Sequence, residues 1–583
     1  MPIVSLSSIN ENKIVNIPFT PGRSLKEIVN ATEYGVQTGC LGNGACGMCR
    51  VRIEKGNVNP LSEIEQFHFS DLPENHNIRL SCQVFPESDI EIIIINPIPK
   101  VKWRYMSESE ESCMVSIANC LVNQTGECVE KKNHCCYDVT SPENCANCNK
   151  YLKELYHSDI DDRTSCDTLI EKCSFPLGLA IDIGTTFLNF SIFNLKTKTR
   201  ISSRIGHNPQ AKFGSDVITR LTHAVKHPAM LNEMNSLLIN AIRDVIIDFS
   251  NRDGLMANQI VKVVLAGNTP MLSILSKRNY DLLLKPEYWM KYIDTVPSDD
   301  NELIRIWGIH PEGVIEVIPP IAGFVGSDLI AGILASRLIV RPPYSLFIDF
   351  GTNSEIALWD GKTIWVTSAA GGPAFEGSGI TYGVHAVTGA IYRAYLSDDH
   401  SIRYAVINSE QPIGICGSGL IDILSLLIQT KKLTETGNFT NDADKQRGMF
   451  LCKGKNDMDI ILTKKDIDVV QKAKAAIGSG ISVVSAMAGI TPSDIRNIFV
   501  SGAFGQHLTV MNAQKIGLLP AINPQNIRLC GNTSLAGSGI LVLNPRAKTM
   551  LKSISDKIKM VNLSMSDQFE ELFLENLFIR PIQ

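Results

Sequence analysis

One phrase occurs twice in this chain, and it constrains the fold more than any other feature. LGLAIDIGTT, beginning at Leu177, and SLFIDFGTN, beginning at Ser345, each place an apolar run before an Asp, a Gly and short polar residues. An apolar run closed by a glycine turn is typical of a buried strand, so each phrase predicts a strand, a tight turn and a return strand. Such a turn exposes backbone N–H groups and hydroxyls that can hold a phosphate. The sequence therefore predicts two copies of one phosphate-binding hairpin.

A second pair of phrases follows the first pair in the same order. VKVVLAGN ends at Asn268 and NIFVSGAFG ends at Gly505, and each predicts a β-branched strand that ends in a glycine turn before a helix. Two copies of a strand-rich α/β unit, each with a phosphate hairpin and a glycine turn, are expected to face each other across a nucleotide cleft.

The two aspartates of the repeated phrase are the candidates for catalysis. Asp182 and Asp349 each end an apolar strand at the predicted turn, where a carboxylate can position Mg²⁺ or an attacking water. The loop GGPAFEGSG follows the second hairpin and is predicted to contact phosphate or the other unit. The residues expected to line the cleft are Gly184, Thr185, Thr186, Gly267, Asn268, Gly351, Thr352, Asn353, Gly371 and Gly372.

Four cysteines near the N-terminus are spaced as in an iron–sulfur site. Cys40, Cys46 and Cys49 follow C-x5-C-x2-C in a glycine-rich loop, and Cys82 comes from a separate segment. The glycines let backbone N–H groups turn toward sulfide, so three thiolates can wrap a small cluster that the fourth completes. A four-cysteine zinc site is the alternative, although the isolated fourth cysteine and the glycine pattern fit it poorly.

A second group of cysteines lies between the N-terminal cysteine site and the first copy of the repeated unit. This segment has few large apolar residues, so bound metal is expected to organise it. A [4Fe–4S] cluster is the first interpretation, structural zinc the second, and uncommitted or redox-switching thiols the third. The nine cysteines are Cys113, Cys120, Cys128, Cys135, Cys136, Cys145, Cys148, Cys166 and Cys173.

The composition indicates in which cellular compartment the protein is expected and which classes of binding partner are not expected. Sixteen cysteines in a chain whose start lacks a signal-peptide pattern predict a cytoplasmic protein with metal-binding thiols. No uncharged apolar run reaches the roughly 18 residues of a membrane-spanning helix. The formal net charge of −5 provides no global basic surface, so neither nucleic acid nor a membrane is expected as the main partner.

Two resemblances extend these predictions. Residues 2–100 resemble the [2Fe–2S] β-grasp ferredoxins. Residues 177–583 resemble the actin/hexokinase/Hsp70-type ATPases in the branch of reductive activators of corrinoid proteins, through phrases such as VIPPIAGFVGSDLIAGI, SAAGGPAFEGSGI, ICGSGLID and SGAFGQHL. In that superfamily the last phrase forms the adenosine-side turn, which in this chain contains Gly502 and Gly505.

The resemblance implies an α/β multidomain fold. A β-grasp [2Fe–2S] ferredoxin is expected over residues 1–100, a cysteine-rich linker or insert over 101–176, and a duplicated actin-like (RNase H-like) ATPase fold with lobes at 177–340 and 341–583. The cysteine-rich segment departs from the activator family, which has a linker and a small middle domain there without such a cluster. The electron path through this segment is therefore left open.

The same resemblance implies a function. The chain is expected to be an ATP-hydrolysing activase that reduces Co(II) of a corrinoid protein to Co(I), using a [2Fe–2S] cluster, ATP and Mg²⁺, so that methyl transfer can resume. A low-potential electron donor is expected as a second partner, and a monomer and a homodimer are both left open. Plant-type clusters lie near about −400 mV, and each 100 mV uphill costs an electron about 2.3 kcal/mol. ATP is expected to supply that free energy.

Two other functions fit parts of the sequence. An ATP-dependent electron injector for a dehydratase or an aromatic-ring reductase uses the same ATPase fold, and a cluster shared by two chains through Cys416 would favour it. A redox-sensing regulator that binds nucleotide without hydrolysing it is the second alternative.

Overall fold

A computed structural model describes most of the chain. It covers residues 1–8, 11–32, 34–36, 42–44, 47–70, 77–95, 97, 103–106, 165–399, 401–502, 507–544 and 547–582. Several predicted site residues lie outside the described residues: Cys40, Cys46, Cys113, Cys120, Cys128, Cys135, Cys136, Cys145, Cys148 and Gly505.

The N-terminal part folds as a five-stranded sheet with two short helices. Strand β1 pairs antiparallel with β2 and parallel with β5, and β3 pairs with both β5 and β4. Both helices begin at a serine that forms a reciprocal capping box with a glutamate three residues later, which satisfies the first free backbone N–H groups. The elements are β1 Ile3–Ser8, β2 Glu11–Pro18, α1 Leu25–Asn30, β3 Arg50–Lys55, α2 Glu63–Phe69, β4 Ile78–Leu80 and β5 Ile90–Ile94.

Residues 103–106, which follow this sheet in the chain, lie against the next unit. Arg104 and Ile205 exchange backbone hydrogen bonds of 3.1 and 2.9 Å. The ring of Trp103 packs edge-on against Phe190, with centroids 5.2 Å apart. The chain is thus anchored to the next unit shortly after β5.

The first lobe is a five-stranded mixed sheet covered by helices. Its central strand β6 is buried at every residue, as expected for a strand with helices on both faces. The elements are α3 Ser165–Lys172, β6 Leu177–Ile183, β7 Phe187–Asn194, β8 Thr199–His207, α4 Val217–Lys226, α5 Pro228–Asp253, β9 Ile260–Gly267, α6 Thr269–Ser276, α7 Asp300–Trp307, β10 Val314–Val317 and α8 Ser327–Ser336.

The second lobe repeats this plan with insertions. The elements up to the longest helix of this lobe are β11 Ser345–Phe350, β12 Ser354–Trp359, β13 Ile364–Ala369, α9 Gly372–Phe375, β14 Ala390–Leu396, β15 Ile402–Val406, β16 Gly414–Ile415, α10 Gly417–Gln429, α11 Asp442–Arg447, β17 Met449–Lys453, β18 Asp459–Leu462 and α12 Lys464–Met487. The remaining elements are β19 Asn497–Ser501, α13 Val510–Lys515, β20 Ile527–Leu529, α14 Thr533–Leu543, α15 Ala547–Ser555, β21 Ile558–Met560 and α16 Phe569–Asn576.

The two large sheets share one topology, which confirms the predicted duplication. The first has the order β10-β9-β6-β7-β8 and the second β20-β19-β11-β12-β13, with β21 added at the edge. In both, three antiparallel strands are followed by two parallel ones.

Helices α8 and α14 pack together between the lobes. A Cβ on Gly537 of α14 would lie 2.2 Å from the carbonyl oxygen of Ala331 in α8, so glycine permits this close approach. Residues of both lobes form one continuous apolar cluster around these two helices. Within the described part of the chain, no helix combines the length and the apolar character that crossing a membrane requires.

Candidate functional site

Strand register places each predicted glycine turn beside a predicted phosphate hairpin. In the first lobe Ile183 pairs with Gly267 across the parallel strands β6 and β9. In the second lobe Asp349 pairs with Ser501 across β11 and β19, and Gly502 follows directly. The two phrases of each copy therefore meet at the carboxyl ends of their strands.

Glycine is required at these positions by close backbone contacts. Gly184 donates its N–H to the carbonyl oxygen of Phe187 at 3.0 Å, and a Cβ there would lie 2.6 Å from the same oxygen. Gly502 has a φ of +92°, and a Cβ there would lie 2.2 Å from the carbonyl oxygen of Phe350. A side chain at either position would distort a hairpin.

The two hairpins face each other. The hydroxyl oxygens of Thr186 and Thr352 are 3.4 Å apart, although the residues belong to different lobes. Thr185 is tied to the first glycine turn, because the Asn268 amide donates to its hydroxyl at 2.9 Å. The structure thus brings the polar residues of both hairpins to one place between the lobes.

Glu376 lies between the hairpins and was not predicted. Its carboxylate accepts hydrogen bonds from Thr186 at 3.1 Å and from Thr352 at 3.3 Å. Burial raises the pKa of Glu376 to about 7, although both hydroxyls favour the ionised form. The only sequence signal was its position within GGPAFEGSG, whose Gly371 packs against α12, where a Cβ would lie 2.7 Å from the Ala473 carbonyl oxygen.

Asp182 is held by three donors. Its carboxylate accepts from Asn189 at 3.0 Å, from Asn532 at 2.7 Å and from Ser534 at 2.8 Å. Burial raises its pKa, and these three hydrogen bonds oppose the rise. Because Asn532 and Ser534 belong to the start of α14, Asp182 links the first lobe to that helix.

Asp349 has acidic neighbours instead. Burial, with the charges of Asp328 and Asp182, raises its pKa to about 8, and the neighbouring Ser501 hydroxyl opposes the rise. Burial and the charge of Asp182 raise the pKa of Asp328 to about 7. Glu355 lies opposite Asp349 in the strand register, and burial together with Asp328 and Asp349 raises its pKa well above the usual range.

These neighbouring acidic residues suit a cation that is already coordinated by ligands from outside the protein. Among the described residues, no set of three or more His, Cys, Asp or Glu side chains is arranged to hold a metal ion by itself. Mg²⁺ commonly binds through one or two carboxylates together with substrate phosphates and waters. The site therefore fits Mg²⁺ delivered with a nucleotide.

We expect Asp328→Asn to stabilise the nucleotide-free protein, and more so at pH 8 than at pH 5. The folded-state pKa of Asp328, about 7, lies above its ordinary value, so its carboxyl costs stability as the pH rises from about 4 through 7. The unfolding midpoint should rise by about 2–4 °C at pH 8, which corresponds to roughly 1 kcal/mol in a lobe of this size. The exposed Asp442→Asn variant is the control, and a pH-independent difference would refute ionisation of Asp328 as the cause.

The described part of the cysteine site is compact. Cys49 and Cys82 are 1% and 4% exposed, and the hydrogen bond between their thiols, together with burial, raises the pKa of Cys49. Gly42, Gly44 and Gly47 all have positive φ, which turns the loop backbone over the thiols. Two adjacent buried thiols beneath a glycine loop fit half of a four-cysteine cluster site.

A buried ion pair positions Cys82. Glu65 of α2 accepts from the Arg79 guanidinium at two oxygens, each 2.8 Å away, and from the backbone N–H of Leu80 at 2.9 Å. Strand β4 ends at Leu80, so this pair fixes the segment that carries Cys82 against α2.

Cys416 is buried in the second lobe. Its side chain is 3% exposed and lies 3.5 Å from the Ser418 hydroxyl. A cluster shared between two chains needs a surface cysteine, so the position of Cys416 argues against the dehydratase-activator alternative.

Three family descriptions match the chain. Residues 9–87 match the 2Fe-2S iron-sulfur cluster binding domain, residues 177–340 the RACo middle region, and residues 343–583 the C-terminal domain of RACo, the ASKHA domain.

Two relatives and one solved structure are similar over most of the chain. The corrinoid activation enzyme RamQ of Eubacterium limosum is 31% identical over 68% of this chain and 70% of its own length. The [Co(II) methylated amine-specific corrinoid protein] reductase of Methanosarcina barkeri is 26% identical over 68% of this chain and 76% of its own. The structure of a reductive activator for corrinoid, iron-sulfur protein has a TM-score of 0.63 and 25% identity, covering 100% of this chain and 99% of that one.

Proposed function

Since this chain belongs to the RACo family, we propose that it is an ATP-dependent reductive activator of a corrinoid protein. It takes a corrinoid protein whose cobalt is trapped as Co(II) and returns it to Co(I) by adding one electron from a low-potential donor. The Co(I) form can then accept a methyl group. Residues 1–100 act as the electron carrier, residues 177–340 and 341–583 as the lobes of an ATPase, and residues 101–176 as the connection.

One observation carries this proposal. A single chain combines two adjacent buried thiols on a glycine loop with two phosphate hairpins whose threonine hydroxyls are 3.4 Å apart. The first arrangement suits electron transfer and the second suits a nucleotide. Their fusion has an energetic reason, because reduction to Co(I) is uphill and needs ATP.

We assign the nucleotide contacts from the geometry. Thr186 and Thr352 hold phosphate from opposite sides, while Gly184 and Gly351 shape the two hairpins by donating their N–H groups to the carbonyl oxygens of Phe187 and Asn353. Asp349 positions Mg²⁺ and the attacking water, while Asp182 keeps the lobe fixed to α14. The other contacts proposed are Thr185, Gly267, Asn268, Asn353, Gly371, Gly372, Gly502 and Gly505.

Cys40, Cys46, Cys49 and Cys82 are the proposed ligands of a [2Fe–2S] cluster. When bound, this cluster supplies a one-electron carrier. The chain contributes a buried pocket for it, because Cys49 and Cys82 are shielded by the core of the N-terminal sheet. The Glu65–Arg79 pair keeps the segment that carries Cys82 in place.

The cysteines from Cys113 to Cys173 are the proposed ligands of a second metal centre, with a [4Fe–4S] cluster preferred to zinc. Iron, sulfide and zinc analysis of anaerobically purified protein separates the three interpretations. About six iron atoms per chain would support a second cluster, and about two with one zinc would support a structural site. About two irons with no zinc would leave these thiols without metal.

The central assay measures Co(I) directly. Protein reduced with Ti(III) is mixed with a purified corrinoid protein in its Co(II) state, with and without MgATP, and Co(I) is followed by its absorption. MgATP is expected to raise Co(I) at equilibrium at least about tenfold, the change that 1.4 kcal/mol produces. A non-hydrolysable ATP analogue tests whether turnover is needed.

Two outcomes would contradict the proposal. Equal amounts of Co(I) with and without MgATP would show that ATP is not coupled to cobalt reduction. Absence of ATP turnover, together with redox-dependent binding to another protein, would favour the regulator alternative instead.

A further inference from the structure

The N-terminal domain contacts both ATPase lobes through the side that carries Cys49. The Met48 sulfur lies 3.4 Å from the Ser215 hydroxyl of the first lobe. The Arg50 guanidinium donates at 2.6 Å to the backbone carbonyl of Thr381 in the second lobe. These two contacts flank a proposed cluster ligand on both sides.

A third contact involves the helix that packs on the glycine loop. His68 of α2 hydrogen-bonds to the Gly44 carbonyl at 2.8 Å, and its other ring nitrogen lies 3.2 Å from the Lys465 ammonium of α12. The same ammonium lies 4.7 Å from the ring centroid of Phe67, within cation–π range. We call Met48, Arg50, Phe67 and His68, with Ser215, Thr381 and Lys465, the docking contact.

The docking contact is connected to the phosphate hairpins by one short segment, residues 376–381. At its start the Glu376 carboxylate accepts from Thr186 and Thr352. At its end Thr381 donates its N–H and its hydroxyl to Asp466 of α12, at 2.6 and 2.9 Å, and its carbonyl accepts from Arg50. Four residues thus separate Glu376, which contacts the hairpins, from Thr381, which contacts the N-terminal domain.

The start of this segment is packed backbone to backbone against residues 383 and 384. Gly377 has a φ of +89°, and a Cβ there would lie 2.7 Å from the Val384 nitrogen. A Cβ on Gly383 would lie 2.1 Å from the Gly377 carbonyl oxygen. Backbone packed against backbone in this way shifts as a unit, so movement at Glu376 is passed toward Thr381.

Charge makes Glu376 responsive to a nucleotide. The two hydroxyls that it accepts from are those of Thr186 and Thr352, which are proposed to hold phosphate. A phosphate between them would bring negative charge against this carboxyl in a buried site, where like charges repel strongly. A partly buried group whose pKa lies at about 7 can respond by moving away or by taking up a proton.

We propose that Glu376 is a positioning residue. When nucleotide binds, the hydroxyls of Thr186 and Thr352 exchange their hydrogen bonds to Glu376 for hydrogen bonds to phosphate. The resulting movement of Glu376 loosens the docking contact. The inference rests on the proposed nucleotide site and adds to it a route to the electron carrier. In the nucleotide-free protein the Cys49 side faces the ATPase lobes. With nucleotide bound, that side is released toward the corrinoid protein.

Linkage requires the reverse effect as well. If nucleotide weakens docking, then a weakened docking contact must strengthen nucleotide binding by the same factor. Lys465→Ala removes one side of the contact without touching the phosphate hairpins. It should therefore bind nucleotide more tightly than the wild type.

Distances between two spin labels test the proposal in the full-length protein. The exposed residues Ile14 and Phe450 are each replaced by p-acetylphenylalanine, which accepts a nitroxide without using the native thiols; their exposed fractions are 71% and 51%. Pulsed EPR is recorded on the oxidised protein with and without Mg²⁺ and a non-hydrolysable ATP analogue, whose binding is measured by calorimetry. One narrow distance distribution is expected without nucleotide and a broad or longer one with it.

Two labelled variants and a control sharpen this test. Glu376→Gln should bind the analogue several-fold more tightly, because the carboxyl charge is gone, while its distance distribution no longer responds. Lys465→Ala should give a broad distribution even without nucleotide. The exposed Glu410→Gln variant should behave as the wild type.

The outcomes separate this inference from the proposed function. An unchanged distribution in wild-type protein that calorimetry finds saturated with analogue would overturn the inference and leave ATP-dependent Co(I) formation standing. A chain that binds no analogue would overturn both.

Discussion

Cys82→Ser is expected to abolish Co(I) formation while leaving nucleotide binding intact. A serine hydroxyl has nearly the shape of the thiol, but it does not ionise to a good cluster ligand near neutral pH. The visible absorption and the EPR signal of the reduced [2Fe–2S] cluster should disappear, and Co(I) should fall to the level without protein. Affinity for MgATP, measured by calorimetry, should stay within about twofold of the wild type.

A second cysteine provides the matched control. Cys452 is partly buried in the second lobe, far along the chain from the N-terminal sheet. Cys452→Ser should keep the absorption, the EPR signal and Co(I) formation. Retention of a normal reduced-cluster signal in Cys82→Ser would mean that the fourth ligand is another residue.

The duplicated fold could be predicted from the sequence because its signals are local. An apolar strand that ends in Asp and Gly is recognisable within ten residues, and it occurs at Asp182 and at Asp349 in the same order relative to the following glycine turns. The signal at the start of the second N-terminal helix is local in the same way, since Ser62 and Glu65 form a capping box within one turn.

The acidic residues at the site could not be predicted in this way. Asp328 begins a helix, Glu355 lies in a return strand and Glu376 follows a glycine pair, and none of these positions carries a local signal for catalysis. Glu355 lies beside Asp349 because of strand register, Asp328 lies near it because α8 packs between the lobes, and Glu376 lies at Thr186 and Thr352 because the hairpins face each other. Such non-local contacts require the three-dimensional fold.

The two copies of the repeat differ in the residues that surround their aspartates, and the sequence repeat alone did not indicate this difference. Opposite Asp182 in the strand register stands Asn189, an amide donor, whereas opposite Asp349 stands Glu355. The second residue of α14 is Ser534, which donates to Asp182, and the second residue of α8 is Asp328, whose charge opposes that of Asp349. Equivalent positions therefore place hydrogen-bond donors around Asp182 and carboxylates around Asp349.

This asymmetry assigns different roles to the two aspartates. The carboxylate of Asp182 accepts from three donors that oppose the rise in its pKa, so we propose a structural role for it. Asp349 is kept in an unfavourable state that a divalent cation and a nucleotide would relieve. Perturbed carboxyl groups of this kind cluster at catalytic sites.

We therefore expect Asp349→Asn to lower ATP turnover by about 10²–10⁴-fold, the usual range when a positioned acid or base is lost. ATP-dependent Co(I) formation should fall with it. The same change should raise the unfolding midpoint of the nucleotide-free protein at pH 8, because a partly buried carboxyl that Asp328 destabilises is removed. Below about pH 8 the wild-type kcat/KM should rise with pH as the Asp349 carboxyl ionises, and this rise should vanish in the variant.

Asp182→Asn distinguishes catalysis from architecture. An amide at position 182 can accept at one atom only, so at least one of the three donors from Asn189, Asn532 and Ser534 would be left buried without an acceptor. That costs about 1–3 kcal/mol and should lower the unfolding midpoint. A stabilised but inactive Asp349→Asn beside a destabilised Asp182→Asn is the pattern that the two environments predict. The opposite pattern would assign the chemistry to Asp182.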